Sequence, residues 1–251
     1  MSVTSAELFR YGDKLKATTH RIFASGAWDT PDLQSTDPKI IAIFLLVRTL
    51  SNFEGVTELV RSSRIVEARV LARCCFENLF AVAALRDRGS SFVKEMIEDN
   101  KADRKARGEF LLEQTAGHPN REWEHKLRSF LRKITQKDAW TTSLSPKRVA
   151  KMGPLLKGYM FYAELSADAA HPTLDALQRY FVRTREGGEM VRGIDINPPS
   201  KPGEAVMTLL YACEAFLGVC VGCNEILGGT AAGAELGELV DEYQRLGSRL
   251  A

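Results

Sequence analysis

The residues best suited to do chemistry fall in two short stretches of this 251-residue chain. Arg69, Arg73 and Glu77 recur at i, i+4 and i+8 in an apolar stretch, so a helix would place them in one line. Tyr162 and Ser166 are also four residues apart and would share a helix face. Because charges on a buried helix must be paired or hydrogen-bonded, these patterns predict a polar seam at the centre of the molecule.

His171 closes the second stretch, which reads Tyr162-x3-Ser166-x-Asp168-x2-His171-Pro172. It falls at the end of its predicted helix, where the helix dipole favours the imidazolium form. We expect this cluster to meet the arginine–glutamate line of the first stretch. Such a set suits general acid–base catalysis or the binding of a small anionic ligand. A buried polar network that only fixes the register of the helices is the alternative.

The candidate residues divide into two roles that overlap at one arginine. The catalytic candidates are His171, Glu77, Arg73 and Tyr162, and the binding candidates are Arg69, Arg73, Ser166 and Asp168. We expect Arg73, Glu77 and His171 to share one cavity. Replacing Arg73 by Ala should then cost about 3–5 kcal/mol, because Glu77 would stay buried without its partner.

The two stretches together resemble a known family. The pattern ARxLxRxxFE, from Ala68 to Glu77, is followed by YxxxSxDxAHP, from Tyr162 to Pro172. This order resembles bacterial helical proteins catalogued as domain of unknown function 5677, over roughly residues 35–225. The resemblance implies a helical bundle with a shared polar centre at these positions, and it implies no activity.

A looser likeness is to the HEPN ribonucleases, helical bundles whose site is Arg, four to six residues, then His. This chain departs from that pattern, since no Arg lies four to seven residues ahead of His171. Arg121 and His125 are spaced one residue too closely. A ribonuclease would therefore need Arg73 to act from another helix. A HEPN-like ribonuclease, or another acid–base hydrolase using the four catalytic candidates, is the enzymatic alternative.

Two further kinds of site fit the residues less well, and we expect no metal and no cofactor. Carboxylate-x2-His pairs ending at His125 and His171 have the spacing of di-metal ligands, but a set of four carboxylate-bearing helices is missing. Ser166, Asp168 and His171 could form a hydrolase triad only with a strand–turn–helix elbow, and no G-x-S-x-G motif surrounds the serine.

Composition describes an ordinary soluble protein, with 45% hydrophobic and 26% charged residues. The net charge of +2 lacks the basic excess of a dedicated nucleic-acid binder, and the basic run at 98–109 has acids interleaved, so nucleic-acid contact is a lesser alternative. The N-terminus has no apolar signal-like run, and the five cysteines suggest reduced thiols, so we expect a cytoplasmic protein. Cys220-x2-Cys223 lies inside an apolar helix and predicts small buried side chains.

The element pattern predicts an all-α fold, a bundle of about seven to eight helices in one domain over residues 1–251. Its core would span 35–228, with helices 5–25 and 232–249 packed on it. The apolar helices 64–85 and 203–227 would lie at the centre, because a helix that is apolar all round is normally enclosed. The one departure from helical periodicity is a small β-hairpin near 180–196, around Gly187-Gly188.

The second apolar helix comes close to the length of a membrane span. Residues 205–223 contain one acidic side chain, Glu214, and the Gly218-x3-Gly222 motif also occurs in packed transmembrane helices. Glu214 at its centre favours a core helix of a soluble protein, so we expect no membrane association. The expected partners are an unknown small anionic ligand or a protein, and the C-terminal stripe with Leu246 and Leu250 is a candidate surface for homo-oligomer formation.

Overall fold

The computed structural model describes residues 3–29, 34–115, 121–135, 143–169, 173–186, 189–196 and 198–249. These residues form ten α-helices, one short 3-10 helix and one β-hairpin. The helices are α1 Ser5–Ala24, α2 Pro38–Arg61, α3 Ile65–Arg88, α4 Ser90–Gln114, α5 Arg121–Thr135, α6 Pro146–Met152, α7 Tyr159–Ala169, α8 Leu174–Gln178, α9 Glu204–Ile226 and α10 Gly233–Gly247. The 3-10 helix is Leu156–Gly158, and the strands are β1 Phe181–Glu186 and β2 Glu189–Ile194.

The predicted all-α class is confirmed, but the predicted count of seven to eight helices is too low. Two extra helices are short, since α6 has seven residues and α8 has five. Neither is long enough to show helical periodicity, and α6 forms where Gly153 packs against Ala83 of α3. The predicted hairpin is present, with Phe181 opposite Ile194, and its turn at Gly187-Gly188 lies outside the described residues.

α3 and α9 lie at the centre of the bundle, as their apolar sequences predict. α3 packs against α2, α4, α6, α7 and α9, and α9 packs against α1, α2, α3 and α10. The ring of Phe53 on α2 packs against that of Phe216 on α9, with the centroids 4.9 Å apart and the planes tilted by 38°. Asn78 of α3 donates a buried hydrogen bond of 3.0 Å to Thr49 of α2. The two central helices therefore fix the positions of all others that carry candidate residues.

The glycine motif of α9 brings the two central helices close together. A Cβ atom added at Gly218 would lie 2.6 Å from Cδ1 of Leu79, and one added at Gly222 would lie 2.5 Å from Cγ1 of Val82. Both contacts are much closer than atoms can approach, so α3 packs where α9 has no side chain. This is the close helix contact that the Gly218-x3-Gly222 spacing predicts.

Helices α1 and α10 pack on the outer side of α9. The phenol of Tyr11 donates a buried hydrogen bond of 2.9 Å to the carbonyl of Leu239, and Lys14 forms an ion pair of 2.8 Å with Glu242. Leu246 is buried in the core with 7% of its surface exposed. Leu246 is therefore not available to the candidate surface for homo-oligomer formation. Leu250 lies outside the described residues, and self-association stays a prediction.

Two helices, α2 and α9, are long and apolar enough to cross a membrane by length and composition alone. In the most apolar stretch of α9, 72% of the residues are buried inside the bundle, against 39% for α2. A core helix of a soluble protein meets the same criteria, so these two helices do not decide where the protein works.

Candidate functional site

Arg73, Glu77 and Tyr162 meet between α3 and α7, and we call this contact the polar seam. Nη2 of Arg73 lies 3.3 Å from Oε1 of Glu77, one turn further along α3. The phenol of Tyr162, on α7, donates a hydrogen bond of 3.2 Å to the same carboxylate oxygen. The guanidinium carbon of Arg73 also lies 5.7 Å from the centre of the Tyr162 ring, within the range of a cation–π contact.

The polar seam is more accessible than the sequence predicts. The side chains of Arg73 and Glu77 are 22% and 32% exposed, although most of the residues around them on α3 are buried. α7 has eleven residues and α3 has twenty-four, so α7 covers only part of the polar line of α3. The expectation that Glu77 is a sealed carboxylate is therefore wrong, and solvent reaches this pair.

The surroundings of the Tyr162 phenol determine its protonation state. Burial, together with the neighbouring charge of Glu77, raises the pKa of the Tyr162 phenol. The phenol therefore stays protonated at neutral pH and acts as a hydrogen-bond donor. Glu77 accepts a hydrogen bond from this phenol and forms an ion pair with Arg73.

Two donors beside this contact have no acceptor among the described residues. They are the buried Nε–H of Arg73 and the hydroxyl of Ser166, which is half-buried on α7. Ser166 lies one turn after Tyr162, so it shares the face that meets α3. An unsatisfied buried donor costs about 1–3 kcal/mol, and a polar group in this position is one that a ligand or a solvent molecule can satisfy.

Arg69 extends the polar line of α3 towards α9. Its Nη2 atom donates a hydrogen bond of 3.2 Å to the backbone carbonyl of Glu164 and lies 3.9 Å from the Glu164 carboxylate. The phenol of Tyr211, on α9, donates to that carboxylate at 3.0 Å. Burial and this contact raise the pKa of Tyr211 to about 12. Arg69 and Glu164 line a cleft of about 420 Å³, together with Lys201 and Glu204.

Glu204, in the lining of this cleft, belongs to a buried ion pair. Nη2 of Arg179 lies 2.5 Å from Oε1 of Glu204, and the two side chains are 6% and 7% exposed. The backbone N–H of Lys201 donates to the other carboxylate oxygen at 3.0 Å. Burial alone would raise the pKa of Glu204, but the hydrogen bonds from Arg179 and Lys201 outweigh it and lower the pKa.

The structure brings some of the predicted site residues together and does not describe others. Arg73, Glu77 and Tyr162 are in contact, and Arg69 and Ser166 lie on the same two helix faces. Asp168 lies in α7, and His171 lies outside the described residues, so the predicted shared cavity of Arg73, Glu77 and His171 stays a prediction.

The Glu164–Tyr211 contact and the Arg179–Glu204 pair were not predicted from the sequence. Arg179 lies just before the hairpin, and Glu204 lies at the start of α9. Helical periodicity indicates which face of a helix is buried, but it does not indicate which distant residue that face meets. A signal was present for Tyr211 alone, as a hydroxyl that interrupts an apolar helix.

The lesser alternatives receive no support from the described residues. Among them, no group of three or more His, Cys, Asp or Glu side chains is placed to hold a metal ion. In the charged part of α4, Arg107 forms an ion pair with Asp103, and Lys101 and Lys105 have acidic partners of their own on the same helix. Cys220 and Cys223 are buried in mid-helix, and burial raises the pKa of each thiol to about 12, so neither is a reactive thiolate at neutral pH.

The fold and the polar seam define a helical-bundle protein whose polar residues come from the facing sides of α3 and α7. The model of the family of unknown function DUF5677 matches residues 39–190, more than half of the chain, and the chain belongs to this family. The match includes both motifs on which the resemblance was based. Neither the comparison with curated proteins nor the comparison with solved structures gives a match.

Proposed function

We propose that this chain is a binding or regulatory module whose polar seam holds a small anionic ligand. The observation that carries the proposal is the state of Arg73. Its guanidinium is partly exposed, forms one ion pair of 3.3 Å with Glu77, and has a buried Nε–H with no acceptor among the described residues. A ligand oxygen at this position would satisfy that donor.

The chemistry of the donors favours an oxyanion with at least two oxygens. A guanidinium presents its N–H groups in a planar fork that matches a carboxylate or a phosphate. The hydroxyl of Ser166, on the facing helix, is a further donor without an acceptor among the described residues. The phenol of Tyr162 keeps its proton, so it adds no negative charge that would repel the ligand.

The surroundings leave room for the rest of such a ligand. Arg69 lies one helical turn before Arg73 and lines the cleft of about 420 Å³, which is within the usual size of ligand sites. Lys201 adds a second positive charge to the lining. Of the two carboxylates there, Glu204 is neutralised by its ion pair with Arg179, and Glu164 lies 3.9 Å from Arg69. The cleft therefore carries a net positive charge, one helical turn from Arg73.

The proposal is tested by thermal unfolding in the presence of inorganic phosphate or acetate, with sodium chloride at matched ionic strength. A ligand that binds only the folded state raises the melting temperature in a saturable way. We expect phosphate to do so for the wild type but not for Arg73→Gln, which keeps most of the side-chain volume and loses the charge. Arg88→Gln is the matched control, because Arg88 lies on the same helix and pairs with Glu95 away from the polar seam.

Two results would overturn the proposal. One is an increase in melting temperature with phosphate or acetate that is no larger than the increase with sodium chloride. The other is an equal phosphate effect in wild type and in Arg73→Gln, which would place the anion elsewhere on the surface.

An acid–base or phosphodiester-cleaving enzyme, of the kind found in HEPN ribonucleases, is the second candidate. It is favoured by the contact of Glu77 with both Tyr162 and Arg73 in a solvent-accessible place, which joins an acceptor, a donor and a cation. His171 would supply the titratable group. The test is incubation with pooled RNA, wild type against His171→Ala: cleavage lost in the variant would establish the enzyme and refute a purely binding role.

We also propose that the protein works in the cytoplasm in soluble form. The burial of α9 and the position of Glu214 within it support this location. Fractionation of cells gives the test, since retention of the full-length protein in membranes through high salt and carbonate would contradict it.

A further inference from the structure

A second cleft, which we call the α9–α10 cleft, lies at the other end of the central helices. It has a volume of about 340 Å³ and is bounded by α3, α9, α10 and the segment at Pro154 and Leu155. Its walls are mostly aliphatic, and the side chains that form them include Leu79, Val82, Leu217, Val221 and Val240. This size and composition are typical of a site for a small organic molecule.

One carboxylate, that of Glu214, belongs to the walls of the α9–α10 cleft. The phenol of Tyr243 donates to its Oε2 atom at 3.2 Å, but the same hydroxyl lies 3.3 Å from the carbonyl of Leu210. A phenol has one proton, so Glu214 receives only a shared hydrogen bond. Burial raises the pKa of Glu214, which reflects how poorly its charge is compensated.

The cation at the mouth of this cleft does not neutralise Glu214. Arg86 lines the opening, but its guanidinium is held by Asp87 at 2.9 Å and by Glu225 at 3.2 Å. These two carboxylates balance its charge outside the cleft. Among the described lining residues, the titratable and charged groups are thus Glu214, Tyr243 and Arg86, and the interior carries a carboxylate in an aliphatic wall.

We propose that the α9–α10 cleft binds a small apolar amine, whose hydrocarbon body fills the aliphatic cavity and whose ammonium group pairs with Glu214. An ammonium would give the carboxylate the charge-assisted hydrogen bond that it lacks. A neutral apolar ligand would leave the charge of Glu214 without a partner, and an anionic ligand would be repelled by it. Charge complementarity therefore selects the amine.

This site is separate from the cleft beside Arg69. Glu214 lies ten residues beyond Glu204 on α9, a distance of about 15 Å along a helix. The α9–α10 cleft and the cleft beside Arg69 have no lining residue in common. The two proposals can therefore succeed or fail independently.

Three indole probes with the same aromatic body test the proposal by calorimetry on the full chain. They are tryptamine, which is a cation at neutral pH, the uncharged 3-ethylindole, and the anionic indole-3-propionate. We expect tryptamine to bind at least about tenfold more tightly than 3-ethylindole, since a hydrogen bond to a charged group is worth about a factor of ten or more. Indole-3-propionate should bind most weakly.

Variants then assign the selectivity to Glu214. Glu214→Gln keeps the shape of the side chain, and it should remove the preference for tryptamine over 3-ethylindole. Glu238→Gln, an exposed carboxylate on α10, is the matched control and should leave that preference unchanged. Val221→Trp should fill part of the cleft and weaken the binding of tryptamine and 3-ethylindole alike.

The pH dependence gives a further readout. Tryptamine affinity should fall as the pH is lowered through the raised pKa of Glu214, because the protonated carboxyl no longer pairs with the ammonium group. Equal binding of tryptamine and 3-ethylindole to the wild type, unchanged selectivity in Glu214→Gln, or no binding of either probe would each overturn the proposal.

Discussion

Replacing Glu204 by Gln measures how much its buried pair with Arg179 stabilises the fold. The two side chains are 7% and 6% exposed, and the same carboxylate accepts the backbone N–H of Lys201. Gln keeps the shape and one acceptor oxygen but loses the charge, so Arg179 loses a carboxylate at 2.5 Å in a poorly hydrated place. Breaking a buried pair costs about 3–5 kcal/mol, and the retained oxygen places our expected loss at about 3 kcal/mol.

Urea unfolding followed by far-UV circular dichroism gives the free energies. Because the folded state lowers the pKa of Glu204, its contribution is present above the unfolded pKa and is lost as the pH falls through the folded one. The difference in the free energy of unfolding between wild type and Glu204→Gln should therefore have its full value at neutral pH. It should narrow as the pH falls below the ordinary glutamate pKa of about 4.3.

The matched control is Glu235→Gln, which removes one partner of the exposed pair with Arg21. The side chains of this pair are 30% and 58% exposed, so we expect a loss below about 1 kcal/mol. The double variant Glu204→Gln/Arg179→Met should lose less than the sum of its single variants. Equal losses for Glu204→Gln and Glu235→Gln, or a fully additive double variant, would refute the reasoning about burial.

Two further predictions concern the central helices. Gly222→Ala should lower the free energy of unfolding by about 1–3 kcal/mol, because the new Cβ meets the stiff β-branched side chain of Val82. Gly218→Ala should stay within about 1 kcal/mol of wild type, since its new Cβ meets the flexible end of Leu79 and the helix gains propensity. Thermal or urea unfolding of both variants checks that Gly222→Ala loses more stability than Gly218→Ala. Arg73→Ala should cost about 1 kcal/mol and not the 3–5 kcal/mol expected for a sealed pair, because Arg73 and Glu77 are partly exposed. A double-mutant cycle with Glu77→Ala checks the size of that coupling.

Much of the fold follows from patterns that are local in the sequence. The continuous apolar runs of α3 and α9 predict their central position, because no face of either helix can be left in water. Asp37 before Pro38 predicts the start of α2, and Oδ1 of Asp37 accepts the N–H of Lys39 at 2.8 Å. The cost of leaving Arg73 unpaired predicts its contact with Glu77, and the hydroxyl stripe of α7 predicts the contact with Tyr162.

The remaining features depend on contacts between distant segments. The exposure of Glu77 follows from the length of α7, which runs from Tyr159 to Ala169 and covers only part of α3. Arg179 finds Glu204 across the connection between the hairpin and α9, and the sequence gives no measure of that geometry. Glu214 was visible as the one acid in an apolar run, but its position beside a cleft requires the placement of α10.

The most direct test of the polar seam as an anion site observes the side chain of Arg73 itself. Its Nε–H group gives a nuclear magnetic resonance signal that the Arg73→Gln variant identifies by its loss. Inorganic phosphate should shift this signal in a saturable way, because the donor gains an oxygen acceptor, while sodium chloride at the same ionic strength should leave it in place. A signal that phosphate does not move, while signals of other arginines shift, would contradict the account.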